Sequence, residues 1–219
     1  MNATVAAQTR TRPGRPRDPQ LESRVYAAAL GLYSEAGWSG FSFDAVARRA
    51  GVGKAPLYLR WKSKEDLLLA ALGAQSSGIR IGDSGDLRAD LVEYAGALLM
   101  NQANPEGWAF LRIHLEATVI PALHARVSAE VVTPHVEGAR ALLEAALRRG
   151  DLPAGTPVDL LLDSLYGAIM TKIILCTPAE RAELATDPDR YAGPIVDFVL
   201  GRWPGRPGQG PVRRGRADG

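Results

Sequence analysis

The sequence predicts an all-α protein of about nine helices, in which a three-helix helix-turn-helix domain precedes a larger helical domain. Three observations favour this fold class. Apolar residues recur at helical spacing along most of the chain, no segment shows the alternation of a strand, and Gly, Pro and Ser residues stand where helices would begin or end. The 219 residues are enough for one large or two small domains.

The composition excludes several functional classes. Hydrophobic residues make up 46% of the chain and charged residues 23%, as in an ordinary globular protein. No apolar run reaches the roughly 18 residues of a membrane-spanning helix, and the first residues lack the apolar core of a secretory signal. The single cysteine, Cys176, excludes an internal disulfide and is typical of a reducing compartment. We therefore expect a cytoplasmic protein without a membrane partner.

The net charge of +2 conceals an uneven distribution along the chain. Residues 1–66 carry 11 Lys and Arg against 6 Asp and Glu, whereas residues 67–200 carry 10 against 17. Residues 201–219 carry 5 against 1. A basic front ahead of an acidic body favours a polyanionic partner for the front alone, with ordinary solvated surface charge as the alternative.

The first third of the chain contains a polar arm and the signals of four helices. Residues 1–18 carry Pro and Arg and predict a flexible arm, and the helix over 19–36 that follows ends at Gly37. Ser42 occupies an N-cap position before an apolar stripe, and Ser63 occupies the next one, with a carboxylate three residues on. The stripe consists of Phe43, Val46, Ala47 and Ala50.

Helical patterns also fill the remaining two thirds. The predicted helices span 86–103, 108–119, 121–149, 158–176 and 190–203. The third of these is expected to kink before Pro134 and the last to be interrupted at Gly193-Pro194. The helix over 158–176 is apolar on nearly every side, which predicts burial.

Two short helices joined by the glycine turn at Gly51 predict a helix-turn-helix motif. Pro56 falls in the first turn of the second helix, where backbone N–H groups have no intrahelical partner in any case. Leu57 and Trp61 are four residues apart and can face inward together. A helix this short fits the B-DNA major groove, about 12 Å wide. The outward residues would be Lys54, Ala55, Tyr58, Leu59 and Arg60.

The segment SFDAVARRAGVGKAPLYLRWKSKEDLL, residues 42–68, resembles the DNA-binding signature of the tetracycline-repressor (TetR) family. In that family a capped helix leads to an A-G-V turn, then L-Y, an aromatic residue and K-E-x-L. The resemblance covers roughly residues 20–72, and the remainder agrees only in length and helix count.

The resemblance implies a role for each matched position in binding double-stranded DNA. Phosphates would be held by Ser42, Tyr58 and Lys64. Base edges would be approached by Gly53, Lys54, Ala55 and Pro56, with Leu59 and Arg60 at the groove or backbone. Two positions depart from the common pattern, since many members carry His where Arg60 stands and a small or hydroxylated residue where Pro56 stands. For Tyr58 a buried core position is the alternative.

The resemblance also implies that the second domain binds a small effector and forms a homodimer. Large apolar side chains with a few polar tips suit such a pocket, and they suit an ordinary core equally well. The candidates are Met100, Trp108, Leu111, His114, Leu115, Tyr166 and Met170. The dimer contact would pair 158–176 and 190–200 with their two-fold mates, with Ile169 in the contact surface.

The expected function is therefore a repressor that leaves a palindromic operator when it binds a small, mostly apolar effector. An activator or dual regulator of the same family is one alternative, and an architectural DNA-binding protein without an effector is another. The predicted organisation is an arm (1–18), the helix-turn-helix domain (19–72), the effector-binding and dimerisation domain (73–203) and a basic tail (204–219).

No catalytic motif is present, so no enzyme is expected. His114, His124 and His135 are 10 and 11 residues apart, and neither spacing puts two of them on one helical face. We therefore expect neither a metal site nor a cofactor. Cys176 is interpreted as a core thiol, with redox sensing as the alternative.

The arm contains PGRPR, residues 13–17, whose Gly-Arg-Pro core is typical of segments that lie in a narrow minor groove. Arg15 and Arg17 would then insert into that groove. Non-specific contact of a basic arm with phosphates is the alternative, and the sequence favours it.

Overall fold

The computed structural model describes residues 20–201, all of them in helices or short connections. The predictions for the arm, including Arg15 and Arg17, and for the tail at 204–219 lie outside these residues. The helices are α1 (Leu21–Gly40), α2 (Phe43–Ala50), α3 (Lys54–Arg60), α4 (Lys64–Ser76), α5 (Leu87–Ala103), α6 (Trp108–Leu115), α7 (Pro121–Val127), α8 (Thr133–Arg149), α9 (Val158–Leu175), α10 (Pro178–Thr186) and α11 (Asp189–Val199). The predicted all-α class is confirmed for this part of the chain.

The predicted helix ends of the first four helices agree closely with the structure. The Ser42 side chain accepts a hydrogen bond from the Ala45 N–H at 3.3 Å, and the Ser63 side chain accepts one from the Asp66 N–H at 3.1 Å. Gly51 ends α2 with a φ of 65°, the left-handed conformation that glycine adopts without strain. Gly37 breaks the helical path of α1, which then continues for one short turn.

The predicted helix over 121–149 is divided into α7 and α8 by a π-helical turn, Ser128–Val132. The turn lies directly before Pro134, where the expected kink falls. Pro134 has no N–H to donate to the carbonyl four residues back, so the regular hydrogen-bond ladder cannot run through this point.

Two predictions for the last third were wrong. No helix was predicted where α10 lies, although Thr177 and Glu180 form a reciprocal capping box at its start. The expected interruption at Gly193-Pro194 is absent, and α11 runs through Pro194. Proline fixes φ near the helical value, so one missing hydrogen bond at the exposed ring is tolerated within a helix that packs on α5 and α9.

The buried apolar side chains form two clusters. The head cluster contains the cores of α1 to α4 together with α6, α7 and the π turn, including Ile113 and Val127. The body cluster contains the buried sides of α5 and α8 to α11, including Tyr94 and Leu162. The predicted DNA-binding domain therefore shares its core with α6 and α7.

The expectation that Ile169 lies in a subunit contact was wrong, because Ile169 is 1% exposed and belongs to the body cluster of its own chain. The apolar side chains of α9 that face outward are instead Leu160, Ile174 and Leu175. None of the helices between residues 20 and 201 combines the length and the apolar character that a bilayer crossing requires.

Candidate DNA-binding face and ligand cavity

The recognition helix α3 is buried on one side and exposed on the other. Leu57 is fully buried and Trp61 nearly so, while Leu59 is 85% exposed. The other residues predicted to approach DNA on this helix and its N-cap are exposed, apart from the half-buried Pro56. They are Gly53, Lys54, Ala55, Tyr58 and Arg60.

Both cations of α3 are paired with carboxylates of the preceding helices. The Lys54 ammonium lies 2.6 Å from the Asp44 carboxylate, and the Arg60 guanidinium lies 3.0 Å from the Glu22 carboxylate. All four side chains are more than a third exposed, so each pair contributes little to stability. The pairs nevertheless orient the two cations and reduce the positive field that a phosphate would meet.

The three predicted phosphate ligands differ in how they are held. Ser42 is exposed at the N-cap of α2, and its hydroxyl hydrogen is still available to a phosphate. The Tyr58 ring packs edge-on against Phe43, with ring centroids 4.8 Å apart. Lys64 donates to the carbonyl oxygens of Trp38 and Phe41 at 3.2 and 3.1 Å, which uses two of its three N–H donors.

A group of polar contacts, named here the α1–α6 clamp, joins α1 of the DNA-binding helices to α6. The Glu116 carboxylate accepts hydrogen bonds from the Tyr33 hydroxyl at 2.9 Å and the Trp38 N–H at 3.1 Å. Arg112 pairs with Glu116 at 3.0 Å and donates to the Ser34 carbonyl at 3.0 Å. The clamp consists of Tyr33, Trp38, Arg112 and Glu116 with the Ser34 carbonyl.

The clamp holds Glu116 as a carboxylate. Burial alone would raise the pKa of Glu116, but hydrogen bonds from Arg112, Tyr33 and the Trp38 N–H outweigh that effect and lower it. The pKa of the Tyr33 hydroxyl is raised, first by burial and second by the Glu116 carboxylate, so this hydroxyl stays protonated and donates. The arrangement is therefore a stable charge-assisted contact at neutral pH.

An apolar cavity of about 320 Å³ lies between the two hydrophobic clusters. Phe110 and Val131 line the cavity on the side of the head cluster, and Tyr94 and Leu98 line it on the side of the body cluster. The end of α4 reaches it through Ser76. The lining residues are Ser76, Ile79, Tyr94, Leu98, Asn101, Gln102, Phe110, His114, Val131, Val132, His135, Val136, Tyr166 and Met170.

Three of the seven predicted pocket residues line this cavity, namely His114, Tyr166 and Met170. The other four do not: Met100 and Leu115 are exposed to solvent, Trp108 lies under the Arg181 guanidinium, and Leu111 is half-buried elsewhere on α6.

Most of the pocket residues predicted on α6 are on sides of the helix that do not face the cavity. Phe110 and His114, four residues apart, face the cavity, whereas Trp108, Leu111 and Leu115 are on other sides of the helix. The buried Ile113 marks the inward side, and spacing alone did not identify it.

Two of the histidines meet although they are on different helices. His114 Nδ1 of α6 lies 3.0 Å from His124 Nε2 of α7. The prediction that no two histidines share one helical face is not contradicted, since this contact is between helices. Among residues 20–201, no group of three or more His, Cys, Asp or Glu side chains has an arrangement that could hold a metal ion.

Comparison with known proteins agrees with this architecture. Residues 25–71 match the family model described as bacterial regulatory proteins, tetR family, and residues 81–190 match the tetracyclin repressor-like C-terminal domain.

Two relatives and one solved structure extend the similarity along the chain. The HTH-type transcriptional regulator AqdR of Rhodococcus erythropolis is 30% identical over 157 residues, covering 70% of this chain and 74% of the relative. The DNA-binding transcriptional repressor TetR of Mycobacteroides abscessus is 28% identical over 192 residues, covering 84% and 94%. The fatty acid degradation regulator FadR from Bacillus halodurans has the same fold, with a TM-score of 0.67 at 18% identity over 88% of this chain and all of that one. The chain therefore belongs to the TetR family of DNA-binding transcriptional regulators.

Proposed function

We propose that the protein is a homodimeric repressor that leaves a palindromic operator when a small, mostly apolar effector fills the cavity. The observation that carries this proposal is the position of the cavity between the head cluster and the body cluster. A ligand there touches the end of α4, which starts at the DNA-binding head, and also α6, which carries the α1–α6 clamp.

The proposed release depends on two arrangements of head and body. A ligand that packs against Phe110 and Ser76 stabilises the arrangement in which the cavity fits it better. Contact alone shifts no equilibrium, so the effector must bind the released arrangement more tightly than the DNA-bound one. The clamp then transmits a displacement of α6 to α1, and with it to α2 and α3.

The proposed dimerisation is supported by the outward faces of α9 and α11. Leu160 and Leu175 on α9 and Phe198 on α11 are all at least 60% exposed, and exposed apolar side chains on neighbouring helices favour contact with a second copy. A two-fold contact through these helices puts two copies of α3 on one side of the dimer. Half-sites about 34 Å apart, one turn of B-DNA, suit such a pair.

The division proposed for the whole chain keeps a DNA-binding part at 19–72 and an effector-binding and dimerisation part at 73–203. Such a regulator works on the chromosome, in the cytoplasm of a bacterium.

The test begins with an operator selected from random duplex DNA, followed by measurement of its affinity in the presence of compounds that raise the unfolding temperature of the protein. We expect a palindromic consensus and weaker operator binding with each stabilising compound. Compounds that strengthen operator binding would indicate an activator or a co-repressed regulator. Binding without sequence preference, and no stabilising compound, would indicate an architectural protein.

A further inference from the structure

All three histidines of the chain meet at the cavity, although they are far apart in the sequence. His114 on α6 and His135 on α8 line it, and His124 on α7 places its Nε2 3.0 Å from His114 Nδ1. His114 is also exposed to solvent, so it stands where the cavity opens. Every imidazole of the protein is therefore at the place where a ligand would enter.

The contact between His114 and His124 accommodates one added proton but not two. A hydrogen bond between two imidazole nitrogens needs a hydrogen on one and a lone pair on the other. One added proton makes His114 an imidazolium that donates from Nδ1 to His124 Nε2, and a charged donor strengthens this bond. A second proton would put a hydrogen on both facing nitrogens and leave two cations in contact.

The second nitrogen of the His114 ring is available to a ligand. Among the residues that the structure describes, His114 makes one hydrogen bond, the one to His124 through Nδ1. In the protonated pair, His114 Nε2 carries a hydrogen, and a carboxylate oxygen that accepts it also supplies the counter-charge. At the mouth of the cavity the other carboxylate oxygen stays in water, which limits the cost of desolvation.

The cavity wall supplies no other charge to such a ligand. None of its lining residues is Lys, Arg, Asp or Glu, and its titratable side chains besides His114 are Tyr94 of α5, His135 of α8 and Tyr166 of α9. Desolvation, with His124 as a second cause, lowers the pKa of His114, and desolvation lowers the pKa of His135. The free protein therefore holds both rings neutral at pH 7, and an anion must bind together with a proton from solvent.

The charged side chains on and beside α6 and α7 are engaged in other contacts. They are Arg112 with Glu116 in the α1–α6 clamp, Arg126 with Asp66 and Glu130, and Glu106 near Arg49. His124 is the neighbour that acts on the charge of His114. A ligand carboxylate would be the first anion beside this ring.

The remaining wall is apolar and sets the size of the ligand. It includes Ile79, Leu98, Phe110, Val136 and Met170. An apolar cavity of about 150 Å³ in another protein holds one benzene molecule. The present cavity is about 320 Å³, which gives room for a molecule of about two rings.

We propose that the effector is a monocarboxylate with an apolar body of about two rings, whose carboxylate binds His114 while the His114–His124 pair takes up one proton. The proposal rests on the proposed function of the cavity as the effector site. One proton balances one carboxylate, so the complex has no net charge against the apolar wall. A phosphate monoester, with a charge of about −1.5 to −2, would leave part of its charge unbalanced.

Three probes of similar shape test the chemistry: 2-naphthoate, its uncharged amide 2-naphthamide, and 2-naphthylmethylammonium. Their affinities for the full-length protein are measured by calorimetry between about pH 6.5 and pH 8, where a carboxylic acid is fully ionised. We expect 2-naphthoate to bind at least about tenfold more tightly than the other two at the lower pH, the effect of a charged hydrogen bond.

Proton uptake gives the second readout. The affinity for 2-naphthoate should fall as the pH rises, by up to about tenfold per pH unit, because binding consumes a proton. The affinity for 2-naphthamide should not change over the same range. Binding heats in buffers of different ionisation enthalpy should show uptake of about one proton per 2-naphthoate.

Variants of the three histidines assign the proton. His114→Gln keeps a hydrogen-bonding side chain that cannot become charged, so it should remove the proton uptake and the advantage of 2-naphthoate over 2-naphthamide. His135→Gln should keep the proton uptake. His124→Leu removes the acceptor that orients His114 and should weaken 2-naphthoate binding, whereas His124→Gln restores an acceptor and should recover most of it.

Two cavity-filling variants locate the probes. Leu98→Trp and Met170→Trp each put a large ring into the cavity and should abolish binding of 2-naphthoate and 2-naphthamide. Leu98 is buried and Met170 is half-buried, so Met170→Trp provides the comparison if Leu98→Trp does not fold. Thermal unfolding of each variant checks the fold.

The outcomes distinguish this proposal from the proposed function. If 2-naphthoate binds no better than 2-naphthamide, or binds without proton uptake, while a cavity-filling variant abolishes both, the cavity is the ligand site but the proposed class is wrong. If His135→Gln rather than His114→Gln removes the uptake, the assignment to His114 is wrong. If no probe binds, this proposal fails and the proposed function is decided by its own compound screen. If both folded cavity-filling variants bind 2-naphthoate as the wild type does, the cavity is not the effector site and both proposals fail.

Discussion

The residues of α3 that would meet DNA are held by neighbours that carry the opposite charge. Asp44 contacts Lys54 and Glu22 contacts Arg60, so two carboxylates stand beside the predicted groove-facing surface. A carboxylate near the phosphate backbone repels it, and it also keeps its cation in one orientation. We therefore expect these two acids to lower general affinity for DNA while they favour one mode of contact.

Replacing Asp44 tests this balance. We expect Asp44→Asn to raise affinity for random duplex DNA two- to fivefold, the range of an exposed charge interaction, and to reduce the ratio between operator and random DNA. Fluorescence anisotropy with both duplexes over a salt series measures these quantities. Glu144→Gln, an exposed charge on α8, is the matched control and should change neither affinity. An unchanged affinity for random DNA in Asp44→Asn would contradict the proposed repulsion.

Gly37 is required by the α1–α6 clamp for two reasons. Its φ of 65° and ψ of −166° fall in a region that only glycine adopts readily, and a Cβ atom here would lie 2.4 Å from both Arg112 Nη2 and Glu116 Oε1. We expect Gly37→Ala to lower the free energy of unfolding by about 1–3 kcal/mol. Urea unfolding measures it, with Gly73→Ala as the control. Gly73 is helical with open space around it, so that change should be neutral or slightly stabilising.

The Glu116 carboxylate of the clamp makes the free energy of unfolding depend on pH, and the direction follows from its lowered pKa. The pKa of Glu116 is lower in the folded protein than in the unfolded chain, so the clamp stabilises fully above about pH 4.3, the ordinary glutamate pKa. The stabilisation is lost as the pH falls through the folded pKa. We expect Glu116→Gln to lower the free energy of unfolding at pH 7, and the gap from the wild type to narrow below about pH 4. A gap that stays constant from pH 7 to pH 3.5 would contradict this role.

At the scale of the helix, local signals predicted the ends of α2 to α4, but they failed at Pro194 and did not give the contacts between helices. Ser42, Ser63 and Gly51 give helix ends that depend only on neighbouring residues, and these predictions were confirmed. The side of α6 that faces the cavity depends on where α5 and α9 lie, which a single periodic pattern does not contain. The wrong prediction for Ile169 has the same cause, because an apolar helix fits a core and a subunit contact equally well.

The outward face of α9 yields a test of the dimer. Leu175 is 74% exposed beside Tyr191 and Ile195 of α11, so Leu175→Glu should leave the fold intact and produce monomers. Ile169→Asp should instead destabilise the chain, because its side chain is in the core. Sedimentation velocity and thermal unfolding separate these effects, with Val119→Glu as an exposed control away from α9. A folded dimer of Leu175→Glu at micromolar concentration would place the contact elsewhere.

At the scale of the whole molecule, the DNA-binding helices are joined to α6 and α7 through a small set of polar groups and a shared apolar core. Glu116 and Arg112 fix α6 to α1, and Arg126 of α7 pairs with Asp66 of α4 at 3.0 Å. The cavity lies on the other side of α6, at Phe110 and His114. We therefore expect a ligand that displaces α6 to act on α1 through the clamp and through the apolar side chains that the two helices share.

The last prediction separates coupling from binding. In the wild type, a ligand that weakens operator binding by some factor must itself be weakened by bound operator by the same factor. Arg112→Ala removes the bonds to Glu116 and the Ser34 carbonyl but touches neither the cavity nor α3. We expect it to bind operator, and a compound that thermally stabilises the wild type, separately almost as the wild type does, while the coupling factor falls towards one.

The measurement is a closed cycle of four dissociation constants, for operator with and without the stabilising compound and for that compound with and without operator. Arg140→Ala is the matched control, since Arg140 pairs with Asp159 inside the body and should leave the coupling factor unchanged. If Arg112→Ala retains the full coupling factor, the signal travels through α4 and its contact with Ser76 alone. If it loses operator binding altogether, the clamp holds the DNA-binding arrangement itself, because release no longer needs a ligand.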